Sequence, residues 1–234
     1  MGKLSILMAA ALVAPSIAAC TGNASQEAVP FKDATLIVET NATDGDAGLQ
    51  VFLDHEPWKS ISISRPDGST ILDVGTAGIL SDYGLTELFS ESSEPPFTEF
   101  PIEEFVQLFP AGDYTFAGET IEGTTMKSVV TLSHDFPAGP EILAPEEDAS
   151  VPAAEVVVRW GPGEQPAGIE IVGYRVLVTN EDPLRVFSAD LPPTASELSV
   201  PAEFIEPGVE YKVEVMAIEA SGNQTLTELT FTAE

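Results

Sequence analysis

The sequence predicts an all-β protein built as two β-sandwiches in tandem, and three observations carry that prediction. In residues 205–217 a Pro207-Gly208 turn feeds a strand with Val209, Tyr211, Val213, Val215 and Ala217 on one side. Glu210, Lys212, Glu214 and Met216 take the other side, the period-two pattern of a half-buried strand. Residues 109–116 (FPAGDYTF) echo the same order of apolar residue, Pro, Gly and strand-starting Tyr in the other half of the chain. Finally, 234 residues leave room for two domains, and 19 Pro with 18 Gly demand many turns rather than long helices.

The first sandwich is expected over residues 31–137. Residues 34–39 and 49–53 have the apolar content and length of strands, separated by the turn-rich loop 41–46. Residues 58–64, with Trp58, Ile61 and Ile63, pair with 71–74 across Pro66-Asp67-Gly68, where Pro presets the backbone and Gly takes the positive φ. Residues 90–99 read as loop, with Phe97 and Phe100 packing beneath it. Pro101 then opens a short amphipathic helix. Glu103 and Glu104 lie in its first turn, and Ile102, Phe105, Val106 and Phe109 recur at i, i+3, i+4, i+7 until Pro110 stops it. A Glu122-Gly123 turn leads into a last strand at 126–133. The echo around Tyr114 implies an immunoglobulin-like sandwich carrying this helix as an insertion. Residues 136–148, with three Pro and a closing acidic run, form a short semi-rigid joint between the domains.

Residues 138–234 yield strands at 156–160, 169–179, 197–200, 209–219 and 225–232. Trp160 in the second strand, the Gly173-Tyr174-Arg175-Val176 run in the third and Tyr211 in the sixth stand in the order and spacing of fibronectin type III domains, which this segment resembles. The resemblance implies a tyrosine corner, in which the Tyr211 hydroxyl bonds back to the preceding loop. It also implies a spacer or binding module. Ala220-Ser221-Gly222-Asn223 carries no Arg-Gly-Asp, so the integrin binding of some family members does not transfer.

The amino terminus reads as an address. Lys3 and the apolar run 4–13 have the length of a signal-peptide core and are too short to span a membrane. Ile17-Ala18-Ala19-Cys20 resembles the lipobox of bacterial lipoproteins. That resemblance implies a signal peptide at 1–19, cleavage before Cys20, acylation of Cys20 and a lipidated tether over 20–30. Thr21 after the Cys implies the outer membrane, in the lipoproteins of Gram-negative bacteria. Acyl chains contribute roughly 0.8 kcal/mol per buried methylene, enough together for stable anchoring. Cys20 is the only cysteine, so packing alone must hold both domains.

Net charge is −29 and evenly spread, with 20 acids against 4 bases in residues 21–140 and 18 against 4 in 141–234. A chain so acidic, without a basic patch, is no nucleic-acid binder. The even spread suits a carboxylate-covered surface of the kind salt-adapted proteins carry, with divalent-cation binding as the alternative. Asp44-Gly45-Asp46, with Asn41 and Asp54, offers calcium ligands. The twelfth position counted from Asp44 is His55 rather than the Glu an EF-hand needs, so an Asx-stabilised turn is preferred.

Ser133-His134-Asp135 puts the residue types of a hydrolase triad side by side. Neighbours on a strand point to opposite faces, however, and His134 is expected as a solvated strand-end residue. His55, at the end of a strand, could form a zinc site with His134 only by meeting it in space. No catalytic, metal or cofactor residue is therefore assigned, and Cys20 is the one modification site.

The expected function is that of a lipid-anchored, non-enzymatic cell-envelope protein that binds or spaces protein partners. Binding is placed in residues 81–100, the longest irregular stretch. A carbohydrate-binding or polysaccharide-enzyme accessory role, using Trp58 and Trp160, is the alternative. A calcium-dependent adhesin is the weaker one.

Overall fold

The computed structural model describes residues 27–234, so Cys20 and the expected signal peptide lie outside the described residues. The chain is all-β: two sandwiches in tandem, each around its own core.

In the first, β1 (Asp33–Asn41) and β2 (Asp46–Ser64) form a hairpin in register from Asp33↔Asp54 to Asn41↔Asp46. The two strands expected at 49–53 and 58–64 are one. β2 runs through His55-Glu56-Pro57 and turns a corner there, with register shifts in the ladders on both sides. Before the corner it pairs with β1 and with β4 (Leu85–Glu91); beyond it, with β3 (Thr70–Gly75) and β5 (Gly112–Thr120). Pro57 has no N–H to give a ladder, which is why the sequence suggests an end. A bulge accommodates it, and its carbonyl accepts from Ile121 N at 3.0 Å. β6 (Thr125–Leu132) completes the sheet beside β5.

The helix α2 (Ile102–Leu108) forms as its stripe predicts, with Phe105 buried and Ile102, Val106 and Phe109 packed against the core. A four-residue helix, α1 (Leu80–Tyr83), precedes β4. β4 corrects the expectation that 81–100 is irregular. Its apolar residues Leu85, Leu88 and Phe89 stand at helical spacing, so no period-two signal marks it. Phe97 and Phe100 do pack against the core from the loop that follows.

In the second sandwich, β7 (Glu141–Ala144), β9 (Val157–Gly161) and β12 (Glu197–Ser199) form one sheet in the order β12-β9-β7. Facing it are β11 (Leu184–Leu191), β10 (Ile171–Glu181), β13 (Glu210–Glu219) and β14 (Gln224–Ala233), in that order. A short strand, β8 (Ala149–Val151), runs parallel to β14. β7 falls inside the segment expected as a joint, whose four-residue strand is too brief to show a period.

Both tyrosine corners form. Tyr211 Oη accepts from Glu206 N at 2.8 Å and donates to Phe204 O at 3.3 Å. Tyr114 Oη donates to Pro110 O at 3.0 Å. The echo between the two halves is therefore a shared device for fixing a strand's entry.

The end of the expected tether is not free. Val29 N donates to Thr125 O at 3.0 Å and Val29 O accepts from Lys127 N at 2.8 Å, forming a parallel bridge beside β6, and Phe31 enters the core.

Candidate functional site

Three places gather polar side chains, and the positions singled out by sequence lie outside the second of them. At the corner of β2, His55 is 7% exposed and in mid-strand rather than at a strand end, edge-on to Phe31 with ring centroids 5.8 Å apart. Its Nδ1 is buried without a hydrogen-bond partner among the described residues. His55 lines a cavity of about 360 Å³ together with Pro57, Thr120, Ile121, Glu122 and Thr124. Lys32 pairs with Glu56 at 2.8 Å beside it.

His134 sits elsewhere. Its Nε2 lies 2.8 Å from Phe109 O and its ring packs near Phe136, so it is half-buried and bonded rather than solvated. The chain passes α2 and returns beside β6, placing a free carbonyl opposite the ring. The two histidines have separate surroundings, and no group of metal-ligating atoms among the described residues includes either.

Trp58 and Trp160 are both buried in their cores, at 0% and 2% exposure. A sugar-binding platform needs exposed coplanar rings, so this removes the two residues on which carbohydrate binding depended. The Asn41 loop adopts the expected Asx turn, Asn41 Oδ1 accepting from Thr43 N at 2.8 Å and Asp44 N at 3.1 Å.

The second place is a carboxylate group that sequence reasoning missed. Oxygens of Glu39, Glu91 and Glu94 come within 4.8 Å of one another on the outer face of β1, β2 and β4. Gly48 permits this: a Cβ there would stand 2.2 Å from Glu94 Oε1. Glu39 is 9% exposed and accepts from Gln224 Nε2. Burial and the neighbouring charges of Glu91, Asp46 and Glu39 push the Glu94 carboxyl up to about 7. Burial, opposed by its Gln224 bond, raises Glu39 as well. These are hard oxygen ligands of the type divalent cations take. The residues are far apart in sequence, and with 38 acids in the chain no spacing marks them.

The third place is the seam between the sandwiches, and it takes up the 220–223 loop. Asn223, 1% exposed, accepts from Val38 N at 2.8 Å and donates through Nδ2 to Ser133 O at 3.2 Å and Ser133 Oγ at 3.0 Å. The loop, which carries no Arg-Gly-Asp, turns Asn223 toward the first sandwich. The one available signal was Met216. It lies on the outward side of β13 as predicted, yet it is only 6% exposed, because the seam lies beside it.

No protein-family model matches the chain, and no curated protein matches it. Among solved structures, the two fibronectin type III domain segment from chicken tenascin is similar at a TM-score of 0.31 and 10% identity, covering 86% of this chain and 98% of that one.

Proposed function

We propose that this chain is a lipid-anchored, non-enzymatic envelope protein whose first sandwich spaces and whose second presents a binding surface. One observation carries the reading: the path of the chain through the first sandwich. The amino-terminal arm runs parallel to β6 and meets it at Thr125, the strand's start. β6 ends at Leu132, and Ser133 already touches Asn223 of the second sandwich. Arm and second sandwich thus lie at opposite ends of β6, about 25 Å of strand apart. An acyl group on Cys20, a few residues before the arm, holds the first sandwich near the membrane and the second away from it. A surface of net charge −29 adds repulsion from anionic headgroups, so the lipid is the attachment.

This moves binding from residues 81–100 to the second sandwich, where β11 is a sheet edge with Leu184 and Val186 exposed. The partner is a protein of the envelope or beyond the cell. Radiolabelled palmitate supplied to cells should enter the wild-type protein and be lost with Cys20→Ser, which should also move the protein out of the membrane fraction. An unlabelled wild type with Cys20 intact overturns the anchor.

A further inference from the structure

We infer that the two sandwiches work as one rigid body, with their angle set by an edge-to-edge strand lock keyed by Asn223 rather than by the proline-rich joint. This goes beyond the anchoring proposal and holds whether or not Cys20 is acylated.

The lock begins in the backbone. β1 and β14 pair in parallel, Glu39↔Gln224, Thr40↔Thr225 and Asn41↔Leu226, and Ala42 N donates to Leu226 O at 2.8 Å. Over these residues each strand would otherwise be a sheet edge; each now satisfies the other, and two sheets become one. Domains of one chain move by default when their interface is small and polar. A shared ladder changes that, because sliding by one residue puts every donor opposite a donor.

Side chains fix the register. Asn223 spends its whole amide across the seam: Oδ1 on Val38 N, Nδ2 on Ser133 O and Oγ and on Asp135 O at 3.3 Å. The loop presenting it is held from behind by Glu219, 3% exposed, which accepts from Ser221 N at 2.9 Å, from Ser221 Oγ and from Asn223 N at 3.2 Å. Thr225 Oγ1 donates to Pro137 O at 2.6 Å, tying the joint itself to β14. Thr43 Oγ1 accepts from Glu228 N at 3.0 Å on the far side of the ladder. A buried polar network satisfied in only one arrangement selects that arrangement, since any other leaves groups unpaired.

Close contacts make the fit steric too. A Cβ at Gly222, whose φ is 98°, would stand 3.2 Å from Ile37 Cγ2, and one at Gly139 would stand 2.6 Å from Thr227 Oγ1 and 2.7 Å from Ala42 Cβ. Met216 and Leu226, each 6% exposed, belong to neither sandwich's core and lie beside this seam.

Electron–electron distance measurements test the lock in the full chain carrying Cys20→Ser, with spin labels on cysteines placed at Glu87 and Ser188, one exposed site per sandwich. The unmodified seam should give one narrow distance distribution. Asn223→Ala should broaden it at least about two-fold, with β-sheet content unchanged by circular dichroism. Gly139→Leu, which wedges the seam without touching either core, should do the same and stands in if Asn223→Ala fails to fold. A broad distribution in the unmodified seam overturns the lock. So does a distribution that stays narrow in the folded variants.

Discussion

In the second sandwich each of the four buried aromatics comes from its own strand. Trp160 from β9 meets Tyr174 from β10 with centroids 5.6 Å apart, and Tyr211 from β13 stacks on Phe231 from β14 at 5.5 Å. In the first, Trp58 and His55 come from one strand that turns a corner between them, and a helix covers the flank through Phe105. Both sandwiches reach an apolar core with a tyrosine corner, by different routes. The regular one places its core residues by period-two alternation. The irregular one depends on Pro57 and a bulge to aim Trp58 inward, so its core is assembled by a bend rather than by alternation.

The largest way to break that comparison is to empty each core. Trp58→Ala and Trp160→Ala should each cost about 3–5 kcal/mol in urea unfolding, since each removes a wholly buried ring. Both indole Nε1 groups are buried without a partner among the described residues, so Trp→Phe at either site should cost markedly less than Trp→Ala. Equal costs for Phe and Ala would mean that the indole itself, rather than its apolar volume, holds the core.

The tyrosine corners sharpen the comparison at a finer scale. Tyr211 both accepts from Glu206 N and donates to Phe204 O, whereas Tyr114 only donates to Pro110 O. Tyr211→Phe should therefore cost about 1–2 kcal/mol and Tyr114→Phe about 0.5–1 kcal/mol. Thermal melts of the two variants decide it, and a larger loss at Tyr114 would show the first corner to be the more important.

The smallest effect belongs to the carboxylate group on the first sandwich. Glu94 titrates at about 7 in the fold, above its ordinary value of 4.5. The folded chain holds that proton more tightly than the unfolded one. This contribution is therefore full below pH 4.5 and lost as pH rises through about 7. Solvent screening at this only partly covered side chain limits it to about 1 kcal/mol or less. Glu94→Gln should flatten the stability profile between pH 5 and about 7.5 and leave the second sandwich's corner untouched. An unchanged profile would take Glu94 out of that titration.

Much of this was legible beforehand. Val209, Tyr211, Val213, Val215 and Ala217 alternate inward as predicted, Pro66-Asp67-Gly68 turns β2 into β3, and the stripe from Ile102 to Phe109 makes a helix. β4 was hidden by the helical spacing of Leu85, Leu88 and Phe89, and β2 was divided in two by Pro57.

Neither the carboxylate group nor the Asn223 network could be read, for a shared reason. Residues such as Glu39, Glu94, Val38, Ser133 and Asn223 are ordinary in their local windows and gain meaning only when strands distant in the chain are laid side by side. Local order of apolar, turn and breaker residues determined the strands and the two cores, because backbone geometry repeats over a few residues. Which edge meets which, and what becomes buried there, was decided by tertiary structure. Edge pairing uses main-chain groups that every residue carries alike.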